Sequence, residues 1–267
     1  GAEIFGNLLF IFPRRRCNKA WIVNLDIFSI ENDITLNDWV GQHIHQETQI
    51  FTRSTKRNHT VCLGIYGTNR YIEYDLESRS LLEKEAKIEQ IYALSYGKEG
   101  LWLADKNGGV EFISDAGDKT EYKIHLDIPC ERWAFSKICD SNGIGYGIPA
   151  YSDQIIRFDP DGSSSVVEYP KEVRCQKSDG RIKYFGAVTL GDQLFVFPYG
   201  YNGMLKISNG RASYIPVVFD MEDITDERNR NFRDKIRSNI VDSAITEIRH
   251  ESLVIGLAEY IDAIRNM

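Results

Sequence analysis

The sequence predicts an all-β protein assembled from repeated units of four short strands. Three observations carry this prediction. An apolar run ending at an anchor residue recurs along the chain, a second strand-like run follows each anchor, and turn-forming residues separate the runs. The 267 residues are 42% hydrophobic and 27% charged, a composition typical of globular proteins that bury a sizeable core.

The first observation is a repeat with a period of a few tens of residues. Apolar runs such as "QLFVFP" end at anchors that lie 53, 38, 45 and 49 positions apart, namely Pro13, Tyr66, Ala104, Pro149 and Pro198. Self-similarity at this period is typical of repeat architectures. The repeat therefore determines the fold prediction before any chemical motif is considered.

The second observation is the run that follows each anchor. In "WIVNLD", "YIEYDL", "VEFISDAG", "IIRFDPDG" and "LKISNG" an apolar residue stands just before Asp26, Asp75, Ser114, Asp159 and Ser208. These residues follow their anchors by 13, 9, 10, 10 and 10 positions. Turn signals such as "KNGG", "DAGD" and "DPDG" bound the runs, as expected between neighbouring strands.

Two further candidate strands flank each pair, for example "IYALSYG" before and "EYKIHL" after the third pair. Each unit then contains four short strands in roughly 40 to 50 residues, which is the signature of a propeller blade. We predict a β-propeller over residues 1–219, with about five recognisable four-stranded blades, or six if a further blade closes the ring.

The blades resemble those of known propellers. "GLWLADKNGGVEFISDAG" resembles the blades of propellers attached to two-component sensors, and "GIGYGIPAYSDQIIRFDPDG" is similar to blades of kelch-like and other bacterial propellers. The resemblance covers about residues 5–219 in five units. It implies the architecture without selecting a function. The sequence departs from the named families because neither a "WD" nor a kelch "GG" signature repeats.

Residues 220–267 differ from the repeats in composition, with little glycine, no proline and many charges. Their apolar residues fall close to helical spacing: Ile236, Ile240, Ala244, Ile248, Leu253, Leu257, Tyr260, Ile261 and Ile264. We predict a short α-helical C-terminal extension whose apolar stripe packs on the propeller or on a partner.

Charge and cysteine content narrow the function classes. The net charge of −7 argues against general affinity for nucleic acid, which requires a broad basic face. The chain has no apolar run long enough to span a bilayer, so we expect no membrane partner. Its five cysteines are odd in number and lack CxxC spacing, which favours free thiols in a reducing cytoplasm over disulfides or a zinc site.

The predicted strands place basic and aromatic residues on one face of the propeller. In a propeller, the loops that join strand two to strand three within a blade lie on the same face as the loops that join strand four to the first strand of the next blade. This face surrounds the central channel. The basic residues predicted there are Arg14, Arg15, Arg16, Arg70, Arg132, Arg174, Lys177, Arg181 and Lys183, and the aromatic ones are Trp133, Tyr151, Tyr199 and Tyr201. Arginine binds carboxylate or phosphate through two parallel hydrogen bonds, and aromatic rings stack on sugars.

This face predicts a non-catalytic recognition module for an anionic small molecule such as an acidic carbohydrate, or for an acidic protein partner. The alternative is that the arginines form ion pairs with acids in the same solvated loops. Both interpretations stay open from the sequence alone.

An enzyme is the competing hypothesis. Asn or Asp recurs near one position of each unit, at Asn18, Asn69, Asn107, Asp153 and Asn202, and oxygen ligands of this kind suit a divalent cation. Such a site would make the protein a metal-dependent lyase or lactonase-type enzyme acting in the central channel. The same residues are also those that tight turns require. The pair His43 and His45 is a further weak candidate if that segment forms a strand. No catalytic residue is assigned.

Overall fold

The structure is a computed structural model that describes residues 2–13, 19–43, 50–124, 133–152, 154–168, 170, 183–198 and 203–216. The chain divides into two units, Gly1–Val217 and Val218–Met267, and every described residue lies in the first. The predicted C-terminal extension, 220–267, lies outside the described residues.

Five four-stranded antiparallel sheets make up the described part, and we call them blades 1 to 5 in chain order. Blade 1 contains β1 (Ala2–Phe5), β2 (Leu8–Ile11), β3 (Trp21–Asn24) and β4 (Ile30–Asn32). Blade 2 contains β5 (Phe51–Arg57), β6 (Thr60–Ile65), β7 (Arg70–Asp75) and β8 (Leu81–Glu85). Blade 3 contains β9 (Ile91–Tyr96), β10 (Gly100–Asp105), β11 (Gly109–Ser114) and β12 (Lys119–Lys123).

The last two blades continue the pattern. Blade 4 contains β13 (Phe135–Ser141), β14 (Ile144–Pro149), β15 (Ile156–Phe158) and β16 (Ser164–Val166). Blade 5 contains β17 (Tyr184–Leu190), β18 (Gln193–Pro198), β19 (Gly203–Ser208) and β20 (Arg211–Pro216). Within every blade the strands pair in sequence order, so the apolar runs found by the repeat are the second strands and the runs after them are the third.

Successive blades meet through their first strands. Strand β9 contacts both β5 and β13, and β13 contacts β17. Blade 1 meets blade 2 in the same way, since the Ser54 hydroxyl on β5 donates to Glu3 on β1 at 3.2 Å. This succession of four-stranded sheets confirms the prediction of an all-β propeller of about five blades.

Apolar clusters fill the spaces between successive blades. One cluster joins blades 1 and 2, a second joins blades 2 and 3, a third joins blades 3 and 4, and a fourth joins blades 4 and 5. On β6, Val61 and Leu63 face the first cluster, whereas Cys62 faces the second. Both faces of a central strand are therefore buried, which explains why these strands are continuous apolar runs.

A helix, α1 (Ile34–His43), connects blades 1 and 2. Asp33 caps it, because its Oδ1 accepts a hydrogen bond from the amide of Leu36 at 3.0 Å. Leu36 and Val40 are buried in the cluster between the two blades. The predicted strand through His43 and His45 is therefore wrong at His43, which ends α1, and His45 lies outside the described residues.

Candidate binding pocket

A β-bulge interrupts the first strand of blades 2, 3, 4 and 5 at the end where the strand begins. At each bulge two residues of the first strand lie opposite one residue of the second. The pairs are Thr52 with Arg53, Tyr92 with Ala93, Ser136 with Lys137, and Phe185 with Gly186. Bulges change the direction in which side chains point and are common next to functional sites. Because the bulges recur at one position, residues at this end of the first strands are the candidates for a functional site.

Hydroxyl groups stabilise two of these bulges. The Thr52 hydroxyl donates to the carbonyl of Gly64, the residue opposite its bulge, at 3.3 Å. The Ser136 hydroxyl donates in the same way to the carbonyl of Ile148 at 3.1 Å. A bulge disrupts the ladder of backbone hydrogen bonds, so a hydroxyl at its first position supplies a donor for the carbonyl opposite.

The second residues of the bulges line a common pocket. Arg53, Ala93 and Lys137 occupy this position in blades 2, 3 and 4, and all three line a pocket of about 420 Å³. Gly186 holds the same position in blade 5, and a Cβ added there would meet no atom within 4 Å. In a propeller the first strands border the central channel, so the pocket belongs to that channel. Its remaining lining consists of Phe12, Pro13, Phe51, Thr52, Ser54, Leu63 and Leu94.

The pocket is basic. Arg53 is exposed, and no described residue accepts a hydrogen bond from its guanidinium or forms an ion pair with it. Lys137 is partly exposed, and its Nζ donates to the carbonyl oxygen of Ala187 in blade 5 at 2.6 Å. Of the described residues that line the pocket, none is acidic. The arrangement offers two cations to a group that enters the channel.

The field of these cations reaches a buried thiol. Burial raises the pKa of Cys139 to about 11, while Lys137 and Arg53 act in the opposite direction. Lys137 and Cys139 are two residues apart on β13 and therefore lie on the same face of that strand. The thiol itself is 3% exposed and stays protonated at neutral pH, so it is a core residue rather than a nucleophile.

Arg70, one of the predicted ligand-binding residues, forms an ion pair with Glu83 at 2.5 Å. The other carboxylate oxygen of Glu83 accepts a hydrogen bond from the indole nitrogen of Trp39 on α1 at 3.2 Å. Arg70 thus connects β7 with β8 and, through Glu83, with α1. For this residue the structure favours the ion-pair interpretation.

Trp133 and Tyr151, two further predicted residues, lie together. The Trp133 ring packs edge to face with Tyr151, with centroids 5.5 Å apart and an interplanar angle of 70°. Trp133 also stacks on Tyr92, with centroids 5.3 Å apart and an angle of 26°. We call Tyr92, Trp133 and Tyr151 the aromatic cluster. Tyr92 is the first bulge residue of blade 3 and immediately precedes Ala93 in the pocket.

The two described residues of the proposed metal ring serve the connections between strands. The Asn69 amide donates to the carboxylate of Glu85 at 2.8 Å and to the carbonyl of Ala86 at 3.1 Å. The Asn107 side chain donates to Glu89 at 3.3 Å. Among the residues that the structure describes, no group of three or more His, Cys, Asp or Glu side chains could hold a metal ion.

The other predicted site residues lie outside the described residues, except for one that is buried. Lys183 is 5% exposed and is therefore not part of a solvated loop surface. Those outside are Arg14, Arg15, Arg16, Asn18, Arg132, Asp153, Arg174, Lys177, Arg181, Tyr199, Tyr201 and Asn202.

Sequence reasoning missed Arg53 and Lys137. Both lie on first strands, and "FTR" and "FSK" show nothing unusual when read alone. A signal becomes visible when the first strands are aligned on the residue before each bulge: "FTR", "IYA", "FSK" and "YFG" then place Arg53, Ala93, Lys137 and Gly186 at the same position.

Comparisons with known proteins support the fold. No model of a protein family matches the chain, and no curated protein matches it. A streptogramin B lyase structure gives a TM-score of 0.56 at 14% identity, over 82% of this chain and 68% of that one. Virginiamycin B lyase from Staphylococcus aureus gives 0.55 at 16% identity, over 82% and 70%.

A third similar structure is the N-terminal domain of Nup159, with a TM-score of 0.56 at 12% identity, over 82% of this chain and 62% of that one. This chain therefore matches less than two thirds of that domain. At these identities the similarity shows the fold alone, and the chain is a β-propeller. In the described residues no helix is long and apolar enough to cross a membrane.

Proposed function

We propose that this protein is a non-catalytic recognition propeller that binds an anionic small molecule in its central channel. The observation that carries the proposal is the pair of cations at equivalent bulge positions, Arg53 in blade 2 and Lys137 in blade 4. Alanine and glycine stand at the same position in blades 3 and 5. The small residues leave space for a ligand, and the cations supply its counter-charges.

The chemistry of the pocket suits a carboxylate or a phosphate. A guanidinium offers two parallel N–H donors that match a carboxylate, and the ammonium of Lys137 adds a second positive charge. Apolar residues such as Phe51 and Leu94 form part of the lining, which lowers the local dielectric and strengthens the attraction. The protein carries a net charge of −7, so this local basic site would be distinctive within it.

The shape of the pocket favours a small molecule over an acidic protein surface. A concave site of about 420 Å³ is within the usual range for small-molecule pockets. Solved structures of similar fold include both a lyase and the N-terminal domain of Nup159, so the fold alone does not decide between an enzyme and a binding module. The metal-dependent lyase or lactonase remains a competing hypothesis, and it predicts that a bound ligand is chemically changed.

The experiment is a calorimetric titration of the whole protein with D-glucuronate, with glucose as the neutral probe. We expect glucuronate to bind and glucose not to bind. Arg53→Gln should weaken glucuronate binding roughly ten- to a hundredfold, the cost of removing one charge-assisted hydrogen bond. Arg211→Gln is the matched control, since Arg211 is an exposed arginine on β20 and its loss changes the net charge equally.

Two results would contradict the proposal. The first is equal binding by wild type and Arg53→Gln. The second is binding of glucose as tight as that of glucuronate. Recovery of altered sugar after incubation would instead support the enzyme hypothesis.

A further inference from the structure

We infer that the aromatic cluster is a second subsite, and that the ligand is a sugar acid whose carboxylate enters the channel while its ring packs on Trp133. This inference rests on the proposed function. It deepens that function by naming the class of ligand.

The aromatic cluster lies beside the pocket. Tyr92 and Ala93 form the bulge of blade 3, and Ala93 lines the pocket. Trp133 lies two residues before β13, and Tyr151 lies two residues after β14. All three aromatic residues are thus at the end of the blades where the first strands begin, as are Arg53 and Lys137. Tyr92 of the cluster is adjacent in sequence to Ala93, which lines the pocket.

The rings of the aromatic cluster are accessible to solvent, unlike the aromatic rings of the core. Trp102, by comparison, is fully buried, packs against Phe112 at 4.4 Å between centroids, and donates its indole N–H to Asp140 at 3.0 Å. Tyr92, Trp133 and Tyr151 are each partly exposed. None of the three belongs to the four apolar clusters formed by the described residues. Packing of the core therefore does not account for three aromatic rings in mutual contact at this place, Trp133 stacked on Tyr92 and packed edge to face with Tyr151.

The covalent structure of a sugar acid fits the two subsites together. In a uronate the carboxylate is bonded directly to a ring carbon, so charge and ring are neighbours, as the pocket and the cluster are. The C–H groups of a pyranose ring form an apolar face that packs on aromatic rings, while the carboxylate pairs with a guanidinium. A free carboxylate or phosphate would use the pocket alone.

The test compares D-glucuronate with D-gluconate, which carries a carboxylate and hydroxyls on an open chain without the ring. We expect wild-type protein to bind glucuronate roughly three- to tenfold more tightly than gluconate, the range of one aromatic contact. Trp133→Leu should remove this preference and leave gluconate affinity unchanged, whereas Trp133→Phe should retain part of it. Circular dichroism melting of both variants checks that they fold.

The outcomes separate the two proposals. Equal affinity of the wild type for both anions, or equal weakening of both by Trp133→Leu, would overturn the aromatic subsite while the channel site stands. Binding of AMP that depends on Trp133, with none of glucuronate, would overturn the assignment to sugars. Binding of neither glucuronate, gluconate nor AMP would refute both proposals.

Discussion

At the scale of single residues, carboxylates that are buried or partly buried connect one blade to the next. Asp33 accepts hydrogen bonds from the Tyr74 hydroxyl in blade 2 and from the amide of Leu36. Asp140 in blade 4 accepts the indole N–H of Trp102 in blade 3 at 3.0 Å. A buried carboxylate is costly unless its lone pairs are satisfied, so each of these contacts specifies how neighbouring blades fit together.

The Asp33 contacts predict a residue-scale effect. Asp33→Ala should lower the free energy of unfolding by about 1–3 kcal/mol, because it removes a helix cap and leaves the buried Tyr74 hydroxyl without its acceptor. Asp38→Ala is the control, since Asp38 is an exposed residue of the same helix. Urea denaturation measures both variants. Equal stability of the two would show that the cap and the Tyr74 contact contribute nothing.

At the scale of elements, glycines in β14 make room for two aromatic rings that pack on this strand, Trp102 from blade 3 and Phe135 from the neighbouring strand β13. In β14, "IGYGIP", a Cβ added at Gly145 would lie 2.7 Å from the ring of Trp102, and one at Gly147 would lie 2.4 Å from the ring of Phe135. Both rings are fully buried and have no room to move. These glycines are thus required by the aromatic side chains that pack on the strand.

This packing predicts different results at two glycines that both lie in strands. Gly145→Ala should destabilise the protein by about 1–3 kcal/mol through overpacking against Trp102. Gly186→Ala should leave stability nearly unchanged, because no atom lies within 4 Å of the added carbon. Thermal melting of the two variants provides the comparison. A Gly186→Ala protein that melts as low as Gly145→Ala would contradict the open space beside Gly186.

The sequence predicted the second and third strands well, because their apolar character and turn residues are local signals. It did not predict α1, where Leu36, Trp39 and Val40 are helically spaced within a long connection, because the helix is stabilised by contacts with blades 1 and 2. The sequence did not predict the β-bulges either. A bulge is a property of pairing between strands, so no single strand reveals that Arg53 and Lys137 share a position.

At the scale of the whole molecule, a buried tyrosine lies in each interface between successive blades. Burial is the largest cause that raises the pKa of Tyr71, Tyr74 and Tyr146, and it raises that of Tyr122 to about 12. The hydrogen bond from the Tyr74 hydroxyl to Asp33 adds to the effect at that residue. All four phenols therefore hold their protons more tightly in the folded protein than in the unfolded chain.

The raised pKa values predict a loss of stability in alkali. Below the ordinary tyrosine pKa of 10.0 the stabilisation is fully present. Above it the unfolded chain releases protons that the folded protein retains, so the free energy of unfolding should fall as pH rises. Urea denaturation at pH 8 to 11, with tyrosinate absorbance as the second signal, measures this. Ionisation of all tyrosines near pH 10 in protein that remains folded would be inconsistent with their burial.

The central claim is that an anionic group binds in the channel between blades 2 and 4. The most direct measurement is a crystal structure of the protein grown with saturating D-glucuronate. We expect a carboxylate oxygen within about 2.7–2.9 Å of the Arg53 guanidinium, with Lys137 as the second cation. A carboxylate bound elsewhere on the protein, or a channel that holds only water under these conditions, would contradict the claim.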